Sequence, residues 1–272
     1  MKKVAYLVLA GILLTCMVFS ISSCRKSETE YTKLTVGITN FRPMNYLDEN
    51  GNWTGFDTEF ARLVGQRLGI EVEFQLIEWA NKFLELNAGT INVIWNGMTA
   101  NMVDSVTQRQ RYEDVDFTYS YMLNTQAVVI RKDRDAQFKA TGDLAGKTAA
   151  VEGGSAGASF ARRYTAPENL VNMEAQINTF LEVLAGTVDF GMVDIILAEQ
   201  IVGQGTFVDL KIADIPMPAE VYAIGFRKGS PMVEKVNKIM VDLYNEGKLL
   251  ELAKKYGLEN RLVVDKTRIQ DM

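Results

Sequence analysis

Polar side chains that could bind a small charged molecule follow an apolar strand in IWNGMTANMVDSVTQRQR, residues 94–111. Asn96, Gly97 and Thr99 come directly after the predicted strand, and Arg111 ends the stretch. Glycine lets the backbone approach a ligand closely, and an arginine guanidinium has the planar fork that matches a carboxylate. The stretch therefore indicates a carboxylate-binding site. An ordinary polar loop with arginines on a solvated helix face is the alternative.

The composition excludes several kinds of catalytic site. The chain contains no histidine, and its two cysteines are Cys16 and Cys24. Ser-His-Asp and Cys-His nucleophile systems are therefore excluded, as are zinc sites built from histidine. The formal net charge is −5 and becomes −7 when residues 1–23, with two lysines and no acids, are removed. This charge argues against a nucleic-acid partner.

The first 24 residues have the layout of a secretory signal. A positive start precedes an apolar run that ends in ISSC at Cys24. This ending resembles the lipobox of bacterial lipoproteins, in which the cysteine is acylated and becomes the mature N-terminus. A transmembrane anchor is the alternative, because an apolar run of about 17 residues is near the lower limit for a span. We predict a signal peptide over 1–23, a tether over 24–32, and export with lipid anchoring on the extracytoplasmic side of a membrane.

Beyond the tether, short apolar runs alternate with amphipathic stretches. KLTVGIT (33–39), EVEFQLI (71–77) and INVIWNG (91–97) are predicted strands. GFDTEFARLVGQRLG is predicted as a helix, with Asp57 as its N-cap and Gly69 as its end. Repeated βαβ units predict an α/β fold with parallel sheets flanked by helices. Ligands bind beyond the carboxyl ends of such strands, where the Asn-Gly-Met-Thr segment lies.

Four motifs, GFDTEFARLVGQRLG, LNAG, IWNGMT and VDFTYSY, occur in the order and spacing of a known family. Together they resemble the extracellular solute-binding proteins of polar amino-acid ABC transporters over residues 33–260. The resemblance implies a periplasmic-binding-protein type II fold, with two lobes of mainly parallel sheets joined by two crossing strands. The ranges it implies are lobe 1 at 33–122 and 223–260, lobe 2 at 126–217, crossings near 121–127 and 218–223, and a C-terminal tail at 261–272.

The resemblance also implies a ligand site in the cleft between the lobes. Its roles are an apolar cover by Phe41 and Trp79, polar contacts by Asn96, Gly97 and Thr99, a helix-start cradle by Gly154, Ser155 and Ala156, a side-chain contact by Glu152, an ammonium partner at Asp194 and a carboxylate partner at Arg111. The alternatives are that Phe41 and Trp79 belong to the core, that Asp194 caps a helix, and that Glu152 is a rim residue in water.

The position of the arginine departs from the family pattern. In relatives it follows the threonine of the GMT segment by five residues, where this chain has Asp104. Counting back from VDF selects Arg111 instead, with Arg109 second, and implies about seven inserted residues within 100–110. If the insertion lengthened the following helix by two turns, neither arginine would reach the cleft.

The implied function is capture of a free amino acid by hinge closure and delivery to ABC permease subunits, by a monomer without cofactor or metal. An acid at Glu152 suits a cationic or amide side chain, and lysine, arginine, histidine, glutamine and cystine all stay open. The same fold carries cyclohexadienyl dehydratase-like enzymes, so an enzyme is the alternative. It would need a carboxylic acid with a raised pKa, for which Glu152 and Asp194 are the candidates. An amino-acid sensor with a separate output partner is a third possibility.

Overall fold

Two mixed β-sheets with flanking helices form the framework of the molecule. The computed structural model describes residues 32–272, so the predicted signal peptide, Cys24 and nearly all of the tether lie outside the described residues. Residues 33–272 form one compact unit. Over the described part of the chain, the helices are all too short or too polar to cross a membrane.

The strands are β1 (Lys33–Ile38), β2 (Tyr46–Leu47), β3 (Trp53–Thr54), β4 (Glu71–Leu76), β5 (Val93–Ile94), β6 (Asp116–Phe117), β7 (Ser120–Arg131), β8 (Ala149–Glu152), β9 (Leu170–Met173), β10 (Phe190–Asp194), β11 (Leu210–Ile212), β12 (Ala219–Tyr222), β13 (Gly225–Phe226) and β14 (Leu262–Asp265). The α-helices are α1 (Phe56–Leu68), α2 (Lys82–Ala88), α3 (Arg111–Asp114), α4 (Ala156–Ala161), α5 (Gln176–Ala185), α6 (Ile195–Ile201), α7 (Met232–Asn245) and α8 (Lys248–Lys255). Short 3₁₀ turns lie at Trp79–Asn81, Lys132–Gln137, Thr141–Leu144, Pro167–Asn169, Gly205–Phe207 and Ile269–Asp271.

The first sheet has the order β4-β1-β5-β13-β6, and we call the part of the chain built around it lobe 1. Strand β1 pairs in parallel with β4 and β5, as the βαβ pattern predicts. Strand β13 pairs antiparallel with β5 and β6. The sheet is therefore mixed rather than mainly parallel, because the chain returns to it from the far end of the sequence.

The second sheet has the order β11-β7-β10-β8-β9, and we call the part built around it lobe 2. Strand β8 pairs in parallel with β9 and β10, whereas β7 pairs antiparallel with β10 and β11. This sheet is mixed for the same reason, since β7 is the strand by which the chain arrives from lobe 1.

Two long links connect the lobes. The chain leaves the first sheet after β6 through β7 and returns through β12 to β13, and these links pair with Thr125 opposite Ala219 and Met122 opposite Tyr222. Strand β14 pairs with the first part of β7 on its other side. The predicted tail after residue 260 thus contributes a strand, and Ile269 beyond it is buried. The exact lobe boundaries stay a prediction.

Helix α1 shows where local pattern and tertiary structure differ. It ends at Gly69 in the left-handed conformation, as predicted, but its N-cap is Gly55 rather than Asp57. The Asp57 carboxylate is buried and accepts hydrogen bonds from the Gly97 backbone N–H (2.7 Å) and the Tyr121 hydroxyl (2.9 Å). The cap prediction was therefore wrong, because this side chain is buried in the core and accepts hydrogen bonds from residues that are distant in the sequence. Burial raises the pKa of Asp57 to about 7.

Candidate functional site

A small cavity of about 10 Å³ lies between the lobes. Its walls are formed in lobe 1 by Thr39, Phe41, Trp79, Asn96, Gly97, Thr99 and Arg111, and in lobe 2 by Glu152, Ser155, Ala156, Gln176 and Asp194. All of the predicted ligand-binding residues except Gly154 line it. Most of the lining follows the carboxyl end of a strand, namely β1, β4, β5, β8, β9 or β10. This is the edge at which parallel strands present ligand-binding loops.

The aromatic walls belong to the cavity and to the core together. Phe41 follows β1 and packs edge-on against Tyr222, with ring centroids 6.5 Å apart. Trp79 lies in the 3₁₀ turn after β4 and joins an apolar cluster with Phe83 and Leu86. Both rings are buried and pack against neighbouring residues, so they belong to the core as well as to the cavity wall.

Asn96 and Gly97 shape the site through bonds to the protein. The Asn96 carbonyl oxygen accepts from the Thr39 hydroxyl (2.7 Å), and its amide donates to Asn45 Oδ1 (2.6 Å). The Gly97 N–H donates a hydrogen bond to the Asp57 carboxylate. A Cβ at Gly97, where φ is +54°, would lie 2.4 Å from the Phe41 ring, so only glycine fits. These two residues hold the loop, because the Asn96 side chain and the Gly97 N–H make hydrogen bonds within the chain. Their contacts with a ligand stay a prediction.

Arg111 is buried against the cavity. Its Nε donates to Asp104 Oδ2 (3.1 Å), and its two terminal nitrogens donate to the backbone oxygens of Thr99 and Gly154, at 2.8 Å each. A guanidinium has five N–H groups, so one N–H remains on each terminal nitrogen. A carboxylate takes such a pair in bidentate fashion.

Arg109, the second choice for this role, points elsewhere. Its side chain is 56% exposed and pairs with Asp114, whereas the Arg111 side chain is 1% exposed. The residues before them form turns, closed by a bridge between Val103 and Gln110, instead of a longer helix. Asp104 stabilises these turns because its Oδ1 accepts the Val106 N–H at 2.9 Å. This segment, in which the resemblance implies an insertion, therefore leaves Arg111 at the cavity.

Asp194 ends β10 and occupies the N-cap position of α6, but its side chain makes no cap hydrogen bond. Oδ1 accepts from Asn124 (2.5 Å), Tyr222 (2.8 Å) and Gln126 (3.2 Å), and Oδ2 accepts from Gln176 (2.5 Å). The helix-cap alternative is thus wrong for the side chain. Burial raises the pKa of Asp194, and the four donors oppose the rise.

Glu152 ends β8 and is 3% exposed, so the alternative of a rim residue in water is wrong. Burial, followed by the charge on Asp194, raises its pKa to about 8, while Lys82 and Gln176 act in the opposite direction. The cavity therefore contains a second buried carboxyl group, and within the described part of the chain no salt bridge joins it to a cation, although the charge of Lys82 acts on it.

Among the described residues, Gly154, Ser155 and Ala156 occupy the start of α4. Ser155 is its N-cap, and its hydroxyl accepts the Ala158 N–H at 3.0 Å. The Gly154 carbonyl faces lobe 1 and accepts from Arg111 and Lys82. Gly154 is therefore behind the cavity wall rather than on it, because its carbonyl is used in contacts between the lobes.

Several site residues were not predicted from the sequence. Thr39 and Gln176 follow β1 and β9, so the strand-end rule could have identified them. Glu220 had a weaker signal, since it shares a strand face with the buried Tyr222 two residues on. Its Oε2 accepts from Asn124 (2.7 Å), Gln126 (3.0 Å) and Thr99 (3.2 Å).

Glu220 adds to the negative charge around the cavity. Burial, then the charge on Asp194, raises the pKa of Glu220 to about 7. Asp104, Glu152, Asp194 and Glu220 are four buried carboxyl groups, whereas the buried cations beside them are Lys82 and Arg111. With all groups ionised, the site has an excess of two negative charges.

Comparison with known proteins identifies the family. Residues 34–259 match the sequence profile of the bacterial extracellular solute-binding proteins, family 3. The chain belongs to this family. The resemblance inferred from its motifs is thereby confirmed, and the chain is an exported protein.

Individual relatives agree with this assignment. The chain is 30% identical over 277 residues to the probable amino-acid-binding protein YxeM of Bacillus subtilis, covering 98% of this chain and 99% of that protein. It is 28% identical over 267 residues to the arginine-binding extracellular protein ArtP of the same organism, covering 94% and 98%. A cyclohexadienyl dehydratase of Pseudomonas aeruginosa is 24% identical over 160 residues, covering 58% and 57%.

Solved structures confirm the fold. An ancestral arginine-binding protein bound to arginine superposes with a TM-score of 0.75 at 29% identity, covering 84% of this chain and 99% of that chain. The predicted periplasmic-binding-protein type II fold is confirmed, with sheets flanked by helices in both lobes.

Proposed function

We propose that this protein is the substrate-binding component of an ABC importer and that it captures a free amino acid with a cationic side chain between its lobes. The observation that carries this proposal is that Arg111 of lobe 1 and the buried acids Glu152 and Asp194 of lobe 2 line the same cavity. A free amino acid has a carboxylate and an ammonium on one carbon, and it needs one partner of each sign.

The predicted roles fit that chemistry. The two remaining N–H groups of Arg111 suit the α-carboxylate, and Asp194 suits the α-ammonium. Phe41 and Trp79 are placed to cover the aliphatic part of the ligand, and the Thr99 hydroxyl lies at the same wall. Ser155 and Ala156 close the cavity from lobe 2.

A cationic side chain follows from the charge of the site. The zwitterionic part of an amino acid is neutral, so when all of the acidic groups are ionised it leaves the excess of two negative charges uncompensated. A guanidinium or ammonium beside Glu152 would offset part of this excess, whereas an acidic side chain would add to it. Relatives named for arginine binding support this choice.

The setting in the cell extends the proposal. We infer that Cys24 bears lipid, that the chain from residue 25 lies outside the membrane as a monomer, and that the lobes close on the ligand about the β7 and β12 links before permease subunits accept it. Labelling with a radioactive fatty acid tests the anchor, since a Cys24→Ala variant should take up no label.

An enzyme of the dehydratase type is the second candidate. A dehydratase relative exists, and Glu152 is a buried carboxyl with a raised pKa, as a general acid requires. We favour binding without turnover because Glu152 has a role as the partner of a ligand cation and because the relatives that cover nearly the whole chain are named as binding proteins. Turnover of prephenate or arogenate would favour the enzyme.

Thermal unfolding of residues 25–272 with each common amino acid, cystine and ornithine, checked by titration calorimetry, tests the function. A ligand at 100 times its dissociation constant stabilises the native state by about 2.7 kcal/mol, which gives a clear upward shift in Tm. We expect the largest shift with arginine or lysine and none with glutamate. The absence of any shift would contradict the proposal, and a shift with neutral amino acids only would contradict the cationic side chain.

A further inference from the structure

The inserted segment before Arg111 reaches from lobe 1 into lobe 2. Met102 is buried, and it belongs to the apolar cluster of lobe 2 that contains Phe160, Phe190 and Met192. A lobe 1 residue thus completes the core of the other lobe. If the lobes separated, this side chain would leave its cluster and become exposed to water, which opposes opening.

The next residue adds a polar contact across the same boundary. The Val103 backbone oxygen accepts a hydrogen bond of 2.9 Å from the Ser159 hydroxyl on α4. Neither Met102, Val103 nor Ser159 lines the ligand cavity. Their contacts therefore favour the closed arrangement without touching the ligand.

A third contact joins two cations of lobe 1 to one carbonyl of lobe 2. The Gly154 oxygen accepts from Lys82 Nζ (3.0 Å) and from an Arg111 terminal nitrogen (2.8 Å). Asp104 of the inserted segment forms a salt bridge with each cation, since its Oδ2 lies 2.7 Å from Lys82 Nζ and 3.1 Å from Arg111 Nε. Buried cations need such a partner, because an unpaired one is costly to remove from water.

Backbone geometry shows how closely the lobes approach here. Gly154 has φ of +75°, and a Cβ at this position would lie 2.9 Å from the Ala80 Cα of lobe 1. Only glycine allows this approach, which brings its carbonyl within reach of both cations.

We propose that these residues form an interlobe clasp, with Lys82, Met102, Val103, Asp104 and Arg111 on lobe 1 and Gly154 and Ser159 on lobe 2, which holds the lobes closed and slows ligand release. The clasp rests on the proposed function, since it acts on the ligand held between the lobes. It gives the inserted segment a role, because its contacts with lobe 2 set the lifetime of the complex.

Two variants test the clasp away from the cavity, Met102→Ala and Ser159→Ala. The control for Met102→Ala is Met240→Ala, which truncates a buried methionine of α7. The control for Ser159→Ala is Ser105→Ala in the inserted segment, where the backbone oxygen rather than the hydroxyl accepts a hydrogen bond from Gln108. Stopped-flow fluorescence of residues 25–272 gives the arginine release rate. We expect release at least about tenfold faster in Met102→Ala, a few-fold faster in Ser159→Ala, and unchanged in both controls, because truncating a buried methionine removes contacts only where it packs.

Small-angle X-ray scattering without ligand separates failure of the clasp from failure of the proposed function. Met102→Ala should have a larger radius of gyration than the wild type, whereas Met240→Ala should not, and this comparison needs no ligand. Equal radii in Met102→Ala and the wild type, or wild-type arginine release in both clasp variants, would overturn the clasp. If the wild type binds no amino acid but Met102→Ala still expands, the clasp stands and the proposed ligand is wrong.

Discussion

The acidic groups of the cavity should make its affinity for arginine depend on pH. Burial, then the charge on Asp194, raises the pKa of Glu152 from 4.5 to about 8, against the opposing effects of Lys82 and Gln176. A bound guanidinium stabilises the ionised carboxylate, so arginine displaces the proton. The affinity should therefore rise with pH and level off above about pH 8.

The size of this effect follows from the pKa. The ionised fraction changes about tenfold for each pH unit below the pKa. At pH 6, about 1% of molecules have ionised Glu152, and at pH 8 about half do. The dissociation constant for arginine should fall by up to about fiftyfold between these two values, with close to one proton released for each arginine bound at pH 6.

Titration calorimetry in buffers of different ionisation enthalpy measures both the affinity and the number of protons released. The matched variant is Glu152→Gln, which keeps the shape of the side chain but does not titrate. It should bind more weakly at pH 8 and show a flatter pH profile, with the remaining slope due to Asp194 and Glu220. A wild-type dissociation constant that is the same at pH 6 and pH 8, or an unchanged slope in the variant, would refute the reasoning.

Three further predictions concern single residues. Arg111→Ala should weaken arginine binding at least about hundredfold in calorimetry, because it removes two charge-assisted hydrogen bonds. Arg109 is exposed, so Arg109→Ala should change the affinity less than about threefold. Similar losses in both variants would contradict the assignment of Arg111 as the carboxylate partner. Gly97→Ala should lower the free energy of unfolding, measured in urea, by about 1–3 kcal/mol more than Gly51→Ala does. Both glycines have positive φ, but of the two only Gly97 faces the Phe41 ring. Equal losses would show that the ring does not constrain the loop. Glu220 has a pKa of about 7 in the folded state against an ordinary value of 4.5. Folding therefore favours its protonated form, and the free energy of unfolding falls as pH rises through this range. In Glu220→Gln the free energy of unfolding should fall less between pH 5 and pH 8, and an identical fall would contradict the raised pKa.

The sequence alone was sufficient for much of the cavity because strand ends and motif spacing are local signals. Glu152 and Asp194 are the last residues of strands and Asn96 follows one. Arg111 was found by counting back from the VDF motif rather than forward from the threonine. The structure supports that choice, because the insertion forms turns and leaves the residues next to VDF in place.

The remaining features depend on partners that are distant in the sequence. Asp57 has the local pattern of an N-cap, yet its donors, Gly97 and Tyr121, are 40 and 64 residues away. The sequence alone suggests that Lys82 is an exposed helix residue. In the structure it is buried, and its Nζ contacts Asp104 and the Gly154 oxygen. The role of a buried charge depends on such partners, and the periodicity of the sequence does not predict which residues they are.

A crystal structure of residues 25–272 grown with arginine tests the proposed binding mode. We expect one arginine between the lobes, with its α-carboxylate on the two remaining N–H groups of Arg111, its α-ammonium on Asp194 and its guanidinium beside Glu152. An empty cavity at saturating arginine, or an arginine with its carboxylate directed away from Arg111, would contradict the proposed function.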